Sequence, residues 1–320
     1  MHRRTLCLAS LAVMAGGLGA APARAQSIPS LKMLIPANPG GGWDQTGRTL
    51  AAAMQSARAV GAVQFENKGG AAGTIGLAQF VNAARGDAGV LMIGGMVMVG
   101  GIALARSPVD LSMVTPIARL TTEYEVIVVP AASPIRSLTD LVRALKADPG
   151  KVSWGGGSAG GTDHLLVGLL ARAVGADPAR INYVPFKGGG EALTALLGGH
   201  LTAGVSGVGE FAEQIRAGRL RALAVSSPKA IDGIASLKEQ GIEVELGNWR
   251  GVFAAPGINP TQRDALIAAV RAGTESATWK ESLSRYGWES AWLAGDAYRQ
   301  FVDEDVKRIS IIIDSLGLRK

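Results

Sequence analysis

The sequence predicts an α/β protein of two lobes built on mostly parallel sheets. Three observations lead there. Strand-like and helix-like patterns alternate from residue 31 to residue 316, the signature of α/β layers. Three of the strand-like runs stop at glycine clusters that hand over to a helix: Pro39-Gly40-Gly41-Gly42-Trp43-Asp44, Gly155-Gly156-Gly157-Ser158-Ala159-Gly160-Gly161-Thr162 and Gly188-Gly189-Gly190-Glu191. Two long extended stretches, 116–130 and 248–255, bracket a self-contained βα block. This is the pattern of a middle lobe inserted into an outer one, with the two crossings as the hinge. The expected boundaries are 26–125 plus 250–320 for the first lobe and 126–249 for the second.

The first 25 residues fall outside that fold. His2-Arg3-Arg4 is a short basic start, residues 6–21 are apolar and small, and Ala23-Arg24-Ala25 is an A-x-A cleavage site before Gln26. This reads as a cleavable secretory signal peptide, whose apolar region is too short and too rich in Gly and Ala to span a membrane. Arg3-Arg4 also fits twin-arginine export, but the general secretory route is preferred. Cys7, the only cysteine, lies in this segment. The mature chain is therefore expected to carry no thiol and no disulfide, which suits the bacterial periplasm. About 295 residues remain, enough for about two domains. Loss of Arg3, Arg4 and Arg24 lowers the formal charge from +6 to +3. Lys and Arg are scattered without aromatic interleaving, which argues against a nucleic-acid partner.

In chain order, a strand over 31–36 leads to a helix over 45–58. A strand over 62–65 leads through Glu66-Asn67-Lys68-Gly69-Gly70-Ala71-Ala72-Gly73 to a helix over 74–84, and a strand over 89–93 ends on Gly94-Gly95. Beyond the first extended stretch the pattern restarts. It gives helices over 138–146, 162–174, 191–197 and 209–217, with strands over 151–154, 181–186, 201–205 and 220–225. Helices over 260–273, 276–286 and 296–316 close the chain, with Pro260 in a first turn that tolerates proline. No tandem repeat is visible.

The glycine clusters carry the functional reading. A loop without side chains lets backbone approach a ligand closely. The first N–H groups of a helix lack internal partners and carry partial positive charge. Several such ends facing one cleft make an anion site without any arginine, and in open α/β sheets ligands lie beyond the carboxyl ends of the strands. The chain therefore reads as a binder of small carboxylates. In the first loop the candidates are Asn38, the backbone of Gly41 and Gly42, Trp43 as a wall and the Thr46 hydroxyl, with Thr74 opening the next helix. Asp44, four residues before Arg48, is expected to brace the loop, because a carboxylate aimed at an anion would repel it. In the second loop Gly157, Ser158 and Thr162 supply donors, and His164 sits one turn inside the helix. Gly189 adds a third set of N–H groups, Glu191 caps its helix or accepts from a ligand hydroxyl, and Ser206 is a rim contact. Each has a plainer structural reading as a tight turn, a cap or a packed helical histidine.

Two rival motifs are weaker. Gly155-x-Gly157-x-x-Gly160 matches the dinucleotide fingerprint in letters, but it follows a very short strand in a chain with 44 glycines. Residues 156–160 match the nucleophile elbow of an exported serine hydrolase using Ser158. The mature chain offers only His164 and His200 as bases, and His164 lies in the helix that Ser158 leads into, which disfavours a triad. No H-E-x-x-H pattern or carboxylate cluster supports a metal, and no cofactor is expected.

With these residues in hand, the mature chain resembles the extracytoplasmic solute receptors of the tripartite tricarboxylate transporter (TctC-like, or Bug) family over residues 32–317. Five ordered blocks carry the resemblance. They are residues 39–44, residues 66–76, Gly157-Ser158 with His164, Val184-Pro185-Phe186-Lys187-Gly188-Gly189-Gly190-Glu191-Ala192-Leu193, and Asn248-Trp249-Arg250-Gly251-Val252-Phe253-Ala254-Ala255-Pro256-Gly257. The resemblance implies a type II, Venus-flytrap periplasmic-binding-protein fold with two hinge-crossing strands and a ligand between the lobes. It implies that residues 40–44 and 157–164 grip the ligand, and that the protein has no enzymatic activity. The expected ligand is a small di- or tricarboxylate, citrate-like, with Asn38, Trp43 and Thr46 setting the choice. The implied partners are the membrane permease subunits of a tripartite tricarboxylate transporter, the receptor itself being a monomer. A carboxylate receptor for a sensor kinase is the remaining alternative.

Overall fold

The computed structural model describes residues 28–187 and 189–319. The segment expected to be a signal peptide, with Cys7, and Gly188 lie outside the described residues.

The chain opens with three βα units: β1 (Ile28–Ile35), α1 (Gly42–Ser56), β2 (Val60–Asn67), α2 (Thr74–Ala83), β3 (Val90–Gly95) and α3 (Met96–Ala105). β1 pairs in parallel with both β2 and β3. Its inward residues Met33 and Ile35 are fully buried, as are Leu50 and Met54 on the apolar face of α1. β4 (Thr115–Pro130) is 16 residues long and belongs to two sheet regions. As far as Tyr124 it pairs antiparallel with β9 (Gly247–Ala254) and β10 (Glu289–Ala294). From Glu125 it pairs antiparallel with β7 (Ala203–Gly207) and β8 (Leu220–Val225). β5 (Ser153–Gly156) lies in parallel between β7 and β6 (Asn182–Pro185).

The strand orders are therefore β2-β1-β3-β9-β4-β10 in one lobe and β6-β5-β7-β4-β8 in the other. Both lobes place the first strand of a βαβαβ run between its second and third, a repeated plan that leaves no trace of sequence repetition. Helices α4 (Leu138–Ala147), α5 (Thr162–Ala173), α6 (Gly189–Leu197) and α7 (Val208–Arg216) serve the second lobe. The chain returns through residues 226–246, where Ser226 ties the crossings together. Its Oγ accepts from the Glu125 N–H (2.9 Å) and donates to the Leu246 carbonyl (2.7 Å).

Helices α8 (Pro260–Glu275), α9 (Ala277–Tyr286) and α10 (Gly295–Ser315) follow. Pro260 stands in the first turn of α8 behind a capping box of Asn259 and Gln262. α10 buries Tyr298, Val302, Ile309 and Ile313, and its Asp305 accepts from the Trp249 indole N–H at 2.8 Å. Among the described residues, no helix is long and apolar enough to cross a membrane.

Two elements depart from the sequence reading. α3 was not anticipated, because Met96-Val97-Met98-Val99-Gly100-Gly101-Ile102 has no polar face and so no helical periodicity. β10 was not anticipated either, being a short edge strand that gains its order by pairing with β4.

Candidate functional site

The glycine-rich strand ends of both lobes open on one cavity of about 640 Å³. The first-lobe wall starts at the end of β1. Gly40 has a left-handed φ of +88°, which lets the chain turn into α1. Asp44 is buried. It accepts from the Gly40 N–H at 2.9 Å, from Arg48 Nε at 2.9 Å and from Asn67 Nδ2 at 2.9 Å. Burial alone would raise this carboxyl, but the donors from Arg48, Gly40 and Asn67 outweigh it and hold it below the ordinary value. Asn38, Gly41, Gly42 and Trp43 line the cavity, and Trp43 is itself 7 % exposed. The turn between β2 and α2 adds Gly69 to Gly73, with Ala71 and Ala72 at φ +46° and +54°. Two left-handed alanines cost about 1–2 kcal/mol each. Ala72 is held there by packing on Gly101 of α3, where an added Cβ would come within 2.4 Å of its methyl group.

The second-lobe wall repeats the motif with different electrostatics. Gly157 N–H donates to Asp163 Oδ2 at 2.6 Å, and Tyr183 Oη donates to the Gly157 carbonyl at 2.9 Å. Among the described residues Asp163 has no basic partner. Burial pushes it up to about 7; the Gly157 donor offsets part of this, and Glu210 and Glu123 add to it. Ser206 Oγ donates to Glu210 Oε2 at 2.8 Å, and the bare Gly189 leaves room for that pair, which a Cβ there would displace.

The crossing strands supply the floor. Glu123 and Glu125, two residues apart on β4, both line the cavity, with Asn248 and Arg250 from β9. Arg250 is ion-paired with Glu123, donates to Thr46 Oγ1 at 3.3 Å and lies over the Trp288 ring at 5.1 Å. Its guanidinium crosses Gly42 so closely that a Cβ there would be 2.3 Å from Nη2. The expectation of an anion site without arginine is thus corrected: one guanidinium forms part of the first-lobe wall.

Of the residues expected from sequence, Asn38, Gly41, Gly42, Trp43, Gly157, Ser158, Gly189 and Ser206 are brought together around the cavity. Asp44, Thr46, Thr74, Thr162, His164 and Glu191 stand behind it. Thr46 donates to the Gly42 carbonyl at 2.8 Å, and Thr74 to that of Ala71 at 2.8 Å. Thr162 is buried at the start of α5. Glu191 accepts from the Lys187 N–H at 3.2 Å, as a cap. His164 Nδ1 accepts from the Gly160 N–H at 3.1 Å, and its ring stacks on Tyr183 at 4.3 Å. Burial lowers its pKa to about 4, so it stays neutral. With Nδ1 engaged by the loop backbone, His164 is not placed as a base for Ser158. The sequence reading missed Glu123, Glu125, Asp163, Glu210 and Arg250. The spacing Glu123-Tyr124-Glu125 just before the apolar run Val126–Val129 of the crossing strand was the available signal, since alternate residues of a strand share a face.

Two α/β lobes, a shared crossing strand and strand-end loops around one interlobe cavity define a periplasmic-binding-protein receptor. The chain belongs to the tripartite tricarboxylate transporter family receptors (TctC), whose family model it matches over residues 47–318. It is 29 % identical to BugT of Bordetella pertussis over 99 % of this chain and 98 % of that protein. A protein encoded in the gbd 5' region of Cupriavidus necator is 32 % identical, over 61 % of this chain and 59 % of that one, so that match spans less than two thirds of its length. The periplasmic binding protein BugD has the same fold, with a TM-score of 0.79 and 25 % identity over 91 % of this chain and 99 % of BugD. The protein is a solute-binding receptor, not an enzyme.

Proposed function

We propose that this receptor captures a small organic acid in the periplasm by closing its two lobes on it, and presents it to the permease subunits of a tripartite tricarboxylate transporter. The observation that carries this reading is the single cavity on which the glycine-rich strand ends of both lobes open. The moving bodies in this reading are 26–125 plus 250–320 and 126–249, turning about the Glu125–Ser226 crossing. A guest touched by both walls favours the closed arrangement and shifts the population toward it. The start of α1, with Gly41 and Gly42 exposing backbone donors and Arg250 behind them, is the place for a carboxylate. One chain supplies both walls, so a monomer suffices.

The number of carboxylates follows from the opposite wall. A second or third anionic group would face Glu125, Asp163 and Glu210, and like charges in a partly dry cavity repel strongly. The geometry therefore favours a guest with one carboxylate at α1 over the citrate-like di- or tricarboxylate expected from sequence. The test is a titration of the mature protein with the monocarboxylates pentanoate and benzoate beside citrate, malate, glutamate and terephthalate, following tryptophan fluorescence and the radius of gyration. A saturable fluorescence change with compaction is expected for at least one acid. No fluorescence change and no thermal shift with any organic acid would sink the proposal.

A further inference from the structure

Charge is divided unevenly across the cavity. Glu125 sits where β4 passes from one lobe to the other. It is fully buried, it lines the cavity, and neither carboxylate oxygen has a hydrogen-bond partner among the described residues. Asp163 and Glu210 line the same wall. Each has one oxygen engaged, Asp163 by the Gly157 N–H and Glu210 by the Ser206 hydroxyl. Glu123 lies close by, and Arg250 neutralises it. The other basic residue of the lining, Lys187, is exposed to solvent. Three carboxylates, Glu125 at the crossing and Asp163 and Glu210 on the adjoining second-lobe side, therefore share this part of the cavity without a buried cation among the described residues.

Buried polar atoms are nearly always satisfied by a partner, and a buried charge is paired. Burial, with Asp163, Glu123 and Glu210 nearby, pushes the Glu125 carboxyl well above its ordinary range, and a donor that also brings positive charge would fill the two open acceptors and draw the carboxylate out. A metal ion does not fit: no group of three or more potential ligands stands close enough to hold one among the described residues. A quaternary ammonium brings charge but no N–H for the two open acceptors. Such cations are also taken up by aromatic cages, whereas Trp43 and Phe186 are the only aromatic residues of this lining.

We propose that the guest of this receptor carries a protonated amine, seated against Glu125 in the field of Asp163 and Glu210, together with the carboxylate held at the start of α1. This rests on the receptor reading above for the cavity and the carboxylate, and it adds the amino group. The ligand class is an amino-carboxylic acid whose two charges are split between the two lobes, so that closure brings each charge to its own wall.

The test is calorimetric titration of the mature protein with matched pairs: 4-aminobutyrate against pentanoate, 5-aminopentanoate against hexanoate, and 6-aminohexanoate against heptanoate. 4-(Trimethylammonio)butyrate serves as the quaternary control. At least one amino acid should bind about tenfold or more tighter than its deaminated partner, the scale of a charge-assisted hydrogen bond. Glu125→Gln should remove most of that preference with no loss of thermal stability, and Glu210→Gln serves if the first variant does not fold. Equal binding of an acid with and without its amine, a preference that survives both variants, or a quaternary control that binds best would overturn the inference and leave the receptor function standing. Binding of no acid at all would overturn the receptor reading and this inference with it.

Discussion

The turns β1–α1 and β5–α5 occupy equivalent places, each at the end of the first strand of its lobe's βαβαβ run, and each is braced by an aspartate in the first turn of the helix. In the first, Asp44 takes the Gly40 N–H, is neutralised by Arg48 and accepts from the Asn67 amide. In the second, Asp163 takes the Gly157 N–H and meets no cation, only Glu210, Glu123 and Glu125. The backbone solution is the same and the electrostatic result is opposite. The first turn offers backbone donors with its acid shielded, while the second shows its acid to the cavity. One strand–loop–helix device can thus present either sign of charge, depending on whether the bracing carboxylate is paired.

Four experiments can break or sharpen this contrast. The largest effect is expected from Asp44→Ala, which removes a buried acceptor from Gly40, Arg48 and Asn67. Loss of about 3 kcal/mol of unfolding free energy should appear in urea titrations. If Asp163→Ala cost as much, the two aspartates would not differ as argued.

Next, Gly100→Ala tests whether the turns are held face to face. A Cβ on Gly100 of α3 would lie 1.9 Å from the Gly160 carbonyl, a backbone-to-backbone contact between the lobes. Closure should weaken, lowering affinity for a bound acid about tenfold, or about 1.4 kcal/mol, with little change in unfolding midpoint. Unchanged affinity would mean that the contact is not needed for closure.

A smaller effect is expected from Asp163 and pH. Its folded pKa of about 7 lies above the ordinary value of 3.8. The unfolded chain therefore releases this proton first, and stability of the unliganded protein falls as pH rises from 4 to 7. Asp163→Asn keeps an acceptor for Gly157 and should flatten that slope, with a gain of about 1 kcal/mol at pH 7. A slope identical in wild type and variant would assign it elsewhere. The same group, faced by Glu210, Glu123, Glu125, Tyr183 and neutral His164, should make amine binding strengthen between pH 6 and 8.

The smallest effect is His164→Phe, which keeps a ring against Tyr183 and loses the acceptor for Gly160. A cost of about 1 kcal/mol is expected. Imidazole shifts followed by NMR in the parent should show no titration above pH 5, since burial holds the ring near 4. A midpoint near 6.5 would place the ring in solvent.

Much of the architecture was readable in the chain. Alternating strand and helix patterns, glycine clusters after the strands and two long extended runs all follow from local chemistry: hydrophobic period, backbone freedom and capping. α3 escaped because it is apolar on every side and is defined by what surrounds it. The candidate site was legible where it consists of loop backbone, at Gly41, Gly42, Gly157 and Gly189, for a glycine cluster advertises close approach. It was illegible at Asp163 and Glu210, which come from α5 and α7, and the alternate glutamates of β4, though visible in the chain, join them at one cavity only after folding.

Taken alone, then, the linear order of residues determined the layers, the lobes and the family of receptors, because those depend on patterns spanning a few neighbours. The sign of the charge at each wall took both levels. Arg48, four residues after Asp44, stands in the linear sequence, where Asp163 is followed at the same spacing by Val167; only the fold brings Asn67 beside the first aspartate and three glutamates beside the second. Burial then magnifies that difference, since a carboxylate removed from water is governed by whichever charges the fold brings within reach.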